Sequence, residues 1–98
     1  MILEHAILNV KPGLTERFET DFITAGNCIS SIKGYINHSL QRCIEDENKY
    51  LLLVKWEKLE NHTVDFRKSE EYQFWKKLLH HYYEPFPVVE HFKEITFD

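Results

Sequence analysis

Six histidines offer imidazole, the side chain type that most often moves protons in catalysis: His5, His38, His62, His80, His81 and His91. Four of them fall within Tyr50–Phe92, YLLLVKWEKLENHTVDFRKSEEYQFWKKLLHHYYEPFPVVEHF, together with both tryptophans and most of the other aromatic residues. Imidazole mixed with aromatic rings can bind a metal, or can move protons to and from an organic ring that the aromatics hold. Spacing speaks against the metal. His80 and His81 are adjacent, so on a helix they point about 100° apart. No HxxxH pattern occurs, and Cys28 and Cys43 offer no ligand spacing. The expectation is no metal and no cofactor site built from these residues.

Several of the same residues have plainer roles open to them. Trp56, Phe66, Tyr72, Trp75, Tyr82, Tyr83 and Phe86 can simply fill a core, since aromatic stripes at helical spacing usually do. His80 and His81 can sit at a helix end, where imidazole meets the negative end of the dipole. His5, His38 and His91 can be hydrogen-bonded strand residues. The alternative is an apolar pocket edged by rings and imidazoles, of the kind that binds planar organic molecules.

The elements that must position these groups follow from periodicity. Residues 2–10 read as a strand, with Leu3, His5, Ile7 and Asn9 on one face and Ile2, Glu4, Ala6, Leu8 and Val10 on the other. Pro12 and Gly13 end it. Leu14, Phe18, Phe22, Ala25 and Ile29 then repeat at helical spacing to about Ser30. Residues 35–44 and 50–56 read as strands joined by the polar turn EDENK, a hairpin. YLLLVKW is almost wholly apolar, which predicts a strand buried on both faces. Residues 58–67 read as a short helix. Ser69 then caps a second one carrying Tyr72, Trp75, Leu79 and Tyr82, and Pro85 and Pro87 stop it. Residues 88–97 make the last strand.

The order is β-α-β-β-α-β with the second helical region broken in two, an α+β ferredoxin-like arrangement in one domain, 1–98. Apolar residues on both faces of the first and third strands call for a second cover. Another copy of the same sheet is the simplest one, a homodimer packed sheet to sheet.

Bulk properties remove other classes. The net charge of −4, with basic residues scattered among acids, argues against nucleic acid. No apolar run reaches the roughly 20 residues that span a bilayer, and no basic leader precedes one. Two cysteines without CxxC spacing fit free thiols in a reducing cytoplasm. GxSxG, GxGxxG and the P-loop are all absent.

Taken together, the opening strand ending in VKPG, ERFETDF, GYINHSLQR, YLLLVKWE, the stretch WEKLENHTVDFRKS and the closing VEHF resemble the antibiotic biosynthesis monooxygenase family of dimeric α/β-barrel proteins. The resemblance implies cofactor-independent oxygenation of electron-rich aromatics such as hydroquinones or anthrones. A base would deprotonate a phenol in a dry pocket, and the resulting anion would donate an electron to dioxygen. It points to His5 as base or hydrogen-bond partner, His62 or His80 as a second polar contact, and Arg67 as the partner of an enolate or phenolate. Trp56, Phe66, Tyr72 and Trp75 become ring-holding walls. His5 stands where haem-degrading relatives carry an asparagine, and Phe66 where they carry a tryptophan; both departures weigh against haem breakdown. Asp65 and Glu71 stand where many quinol-oxidising relatives carry histidine. The expected partners are a second copy of the chain, a small aromatic compound and dioxygen. A binding module that holds a hydrophobic metabolite without turning it over is the other reading.

Overall fold

In a computed structural model that describes residues 1–97, strand β1 (Ile2–Asn9) sets the pattern for the sheet. Glu4, Ala6 and Leu8 are buried and the residues between them are half-covered. That period of two is what a strand with one face on a core requires. Helix α1 (Thr15–Ile29) follows, burying Phe18, Phe22, Ala25, Gly26 and Ile29. Strands β2 (Tyr35–Arg42) and β3 (Lys49–Trp56) form the hairpin. A π-helical turn (Asn61–Phe66), helix α2 (Glu70–Leu79) and a 3-10 turn (His80–Tyr82) make the second helical region, and β4 (Val89–Lys93) closes the sheet.

The strands are ordered β2-β3-β1-β4 with every neighbouring pair antiparallel. Both helices lie on one face and meet each other there. This is the ferredoxin-like α+β fold. Its core joins Phe18, Phe22 and Ile29 of α1 to Leu52, Val54 and Trp56 of β3, and to Trp75 and Leu79 of α2. Ser69 caps α2, its hydroxyl accepting from the Tyr72 N–H at 3.1 Å.

In β3, Tyr50, Leu52, Val54 and Trp56 are buried, whereas Leu51 and Leu53 are half-covered and Lys55 is exposed. The helices of the chain cover one face of the strand, and its other apolar face is left for a second cover. Two expectations need correction. The short helix over 58–67 is instead a π-helical turn over Asn61–Phe66. Its extra residue per turn lets Asn61, His62 and Phe66 all face inward. The last strand is shorter than residues 88–97. Its ladder ends where Lys93 pairs with Ile2, the first residue of β1, and Asp98 lies outside the described residues.

Gly34 fixes the start of the π-turn. Its φ of 88° lies in the left-handed region, and a Cβ there would collide with the Asn61 side chain. Asn61 in turn accepts from the Lys58 N–H at 2.9 Å and donates to Asp65 at 3.1 Å. Gly34→Ala therefore meets left-handed strain of about 1 kcal/mol and a displaced Asn61. Denaturant unfolding is expected to show a loss of more than about 2 kcal/mol.

Candidate active site beneath the broken helical cover

The antiparallel register places Glu4 of β1 directly between Val54 of β3 and His91 of β4. Opposed residues share a face, so the Glu4 carboxyl and the His91 ring both point toward the helices. The π-turn brings His62 down onto them from above. Trp56, two residues beyond Val54 on the same face of β3, donates its indole N–H to Glu4 Oε1 at 3.0 Å. His62 Nε2 lies 3.3 Å from the same oxygen, and His62 Nδ1 lies 2.8 Å from His91 Nε2. The His62 ring stacks on Trp56 with centroids 5.6 Å apart.

A cavity of about 230 Å³ opens beside this cluster. Ala6, Leu8 and Leu52 form its apolar floor, Phe66, Tyr72, Trp75, Tyr83 and Phe86 its ring walls, and Glu4, His62, Arg67 and His80 its polar points. Such a set, mostly apolar with a few convergent polar groups, is what a small-molecule site looks like. Its volume suits one ring or two fused rings, given that a cavity of about 150 Å³ takes up benzene. A wider depression of about 600 Å³ lies between α1 and β2, but it is an open groove, and its histidine, His38, is engaged by the Tyr35 hydroxyl. The smaller cavity is the candidate site.

Burial sets the protonation states. Glu4 is 4% exposed, and loss of water pushes its pKa up from 4.5 to about 7, against the pull of the Trp56 hydrogen bond and the Arg67 charge. His62 is driven down from 6.5 to about 3 by burial, by Arg67 and by His91, so it is a neutral imidazole at pH 7. Glu4 and His62 are therefore a carboxyl beside a neutral ring, although their separation would allow an ion pair. Burial also lowers His80, with Lys76 and Arg67 adding to the effect, and lowers His91, with Arg67 adding. Among the described residues, no group of three or more His, Cys, Asp and Glu is arranged to hold a metal ion.

The cavity gathers His62, His80, Arg67, Phe66, Tyr72 and Trp75. Trp56 lies behind it, fully buried, as the backing for Glu4 and His62 rather than a wall. His5 is not there. It projects from the opposite face of β1, opposite Leu53 and Glu90, and packs against Phe92. Strand alternation explains the miss: the neighbour of His5 in sequence, not His5 itself, faces the cavity. Glu4 was legible as a charged residue sharing parity with Ala6, Leu8 and Val10. His91 could be placed only once the register was known. Tyr82 turns away to donate to Asp21 on α1, and His81 lies exposed against Tyr82.

An antiparallel four-stranded sheet with helices over one face, and a small ring-lined cavity with a buried carboxyl between them, defines a ferredoxin-like α+β protein. The family model for antibiotic biosynthesis monooxygenase matches residues 1–78, and the chain belongs to that family. It is 56% identical over 95 residues to the uncharacterized protein YczJ of Bacillus subtilis (strain 168), covering 97% of this chain and all of that one. A crystal structure described as a putative antibiotic biosynthesis monooxygenase from Bordetella bronchiseptica superposes with a TM-score of 0.91 at 35% identity, over 97% of each chain. SnoaB of Streptomyces nogalater, a cofactor-independent oxygenase, shares the fold at a TM-score of 0.77 and 16% identity, over 98% of this chain and 94% of its own.

Glu4 also makes the folding equilibrium pH-dependent. Its pKa is raised on folding, so the stability it contributes is complete below about pH 4.5 and is lost as pH rises through about 7. The loss is on the order of 3 kcal/mol. His62 works the other way, contributing above pH 6.5 and losing that contribution toward pH 3, but it is common to wild type and variant. The unfolding free energy of Glu4→Gln minus that of wild type is expected to grow between pH 4.5 and 7. A pH-independent difference would contradict burial of an ionisable carboxyl.

Proposed function

We propose that the chain is a cofactor-independent monooxygenase that uses dioxygen to oxidise a small phenolic or quinol-like compound of one or two rings. The observation that carries this reading is the single buried carboxyl at the edge of a ring-lined cavity that also contains a guanidinium, that of Arg67. Family membership supports it as well.

In this reading the Glu4 carboxylate takes the phenolic proton, the role first expected of His5. Arg67 and His80 hold the phenolate oxygen, and Phe66, Tyr72 and Trp75 hold the ring. Excluding water from such a cavity strengthens each of these electrostatic contacts. The anion then gives an electron to dioxygen. Recombination forms a carbon–oxygen bond at the ring, the second oxygen atom leaves as water, and a hydroquinone becomes a hydroxyquinone. The residues need only supply a base, a counter-charge and a dry ring-shaped space. The cavity's size does not suit haem or a four-ring polyketide.

Dioxygen uptake with a panel of one-ring and two-ring hydroquinones tests the reading. Uptake is expected with kcat/KM rising through about pH 7 as Glu4 ionises. Glu4→Gln is expected to lose about 100-fold or more in kcat, whereas His5→Ala is expected to retain wild-type turnover. Binding of these compounds in native mass spectrometry with no uptake would instead mark a binding module.

The second copy expected from the sequence also belongs to this proposal. The sheet face away from the helices carries half-covered Leu3, Ile7, Leu51 and Leu53, with Phe92 47% exposed at its edge. We take this face as the surface of a sheet-to-sheet homodimer within the cytoplasm. Sedimentation at micromolar concentration is expected to give a dimer for wild type and a monomer for Leu53→Lys.

A further inference from the structure

We propose that His91 is a positioning residue that gives the Glu4–His62–His91 chain a single hydrogen-bond direction and leaves Glu4 Oε2 as its one proton-accepting atom. This rests on the reading of Glu4 as the base. Nothing in the family match reaches His91, which lies beyond residues 1–78.

The direction follows from one donor that cannot reverse. The indole of Trp56 has an N–H and no lone pair to accept with, and it lies 3.0 Å from Glu4 Oε1. When Glu4 is ionised, Oε1 is an acceptor engaged by that N–H, and Oε2 is the oxygen left free to take a proton. His62 Nε2 faces that same Oε1 at 3.3 Å. Beside an ionised carboxylate oxygen a lone pair is repelled and an N–H is attracted, so with Glu4 ionised Nε2 carries the hydrogen. At this distance the contact is one of charge with N–H dipole rather than a formed hydrogen bond.

His62 is neutral, because it is 3% exposed and faces Arg67, so its other nitrogen, Nδ1, is bare. At 2.8 Å from His91 Nε2, that bare nitrogen needs a donor, and His91 Nε2–H supplies it. The chain thus runs from His91 to His62 to Glu4, with Trp56 converging on the same oxygen. His91 is only partly covered on its edge strand. Whether His91 is neutral or charged, its Nε2 remains a donor, so the direction holds as His91 titrates.

The titratable and charged groups around this chain are few. Glu4 comes from β1, His91 from β4, Arg67 from the end of the π-turn and His80 from the 3-10 turn, and the phenols of Tyr72 from α2 and of Tyr83 line the same cavity. Strand β3 contributes only the uncharged Trp56. No second carboxylate faces the pair in the cavity lining. Removing the His91 donor leaves His62 free to turn a lone pair toward Glu4. Carboxylate would then lose a donor, and the carboxyl would hold its proton to higher pH.

The test needs no substrate. Nitrogen–proton correlation spectra of labelled histidine report the His62 tautomer, and carbon spectra of labelled glutamate report the Glu4 midpoint. Wild type and His91→Gln, whose amide can donate from a similar position, are expected to show the Nε2–H tautomer and the same Glu4 midpoint. His91→Phe is expected to mix the His62 tautomers and raise the Glu4 midpoint by about one pH unit, a tenfold change in proton affinity. An unchanged tautomer and midpoint in folded His91→Phe overturns the proposal, as does an Nδ1–H tautomer in wild type. If wild type consumes dioxygen, the pH profile of kcat/KM is expected to shift upward with the midpoint. If it consumes none with any phenol, the monooxygenase reading fails while the tautomer result stands by itself.

Discussion

The cost of keeping one carboxyl out of water governs the arrangement of this molecule. Glu4 sits among Ala6, Leu8 and Val54 in a position that apolar side chains would otherwise fill. An isolated charge in such a place is too costly to persist, so the group must hold a proton or find donors. Three separate elements converge on it: Trp56 of β3 donates its N–H, His62 of the π-turn lies 3.3 Å from the same oxygen, and His91 of β4 contacts His62. The Arg67 charge lowers the cost further without removing it, and the balance leaves the carboxyl able to change state near neutrality. An acid held wholly neutral or wholly charged could not serve as a base that turns over.

That requirement accounts for the irregular second helical region. A regular helix over residues 58–67 would present its inward residues every three or four positions. The π-turn instead brings Asn61, His62 and Phe66 inward together, with Asn61 tying the turn to Lys58 and Asp65. Gly34 makes room for that Asn61 side chain. The break between the π-turn and α2 then leaves the space that Tyr72, Trp75, Tyr83 and Phe86 enclose. Local irregularity and the presence of a cavity have the same origin here, and π-turns inserted in helical segments frequently mark functional sites.

The periodic parts of the fold were readable from the sequence, and the non-local parts were not. The stripe Phe18, Phe22, Ala25 and Ile29 and the cap at Ser69 carry their own signals, because helix periodicity and capping are decided within a few residues. The parity of β1 was equally plain, yet it could not say which parity faced the helices. That ambiguity placed His5 rather than Glu4 at the cavity. Most of the cavity wall was anticipated from aromatic and imidazole density, while Trp56 proved to be backing. The pairing of Glu4 with His91 depends on register between strands at opposite ends of the chain, and no local pattern reports it.

The sheet edge adds a dynamic consequence. Strand β4 is five residues long and pairs only with β1, so its outer edge has no neighbouring strand within the chain. Short edge strands are the segments that open most readily, well below the free energy of global unfolding. When β4 lifts, His91 leaves with it and water reaches the cluster around Glu4. The restored hydration would return the carboxyl toward ordinary acidity, and the same glutamate would become a weak base for as long as the strand is open. On that account the proton affinity of Glu4 would follow any opening of the sheet margin, and whatever clamps that margin shut would keep the affinity high without touching the group.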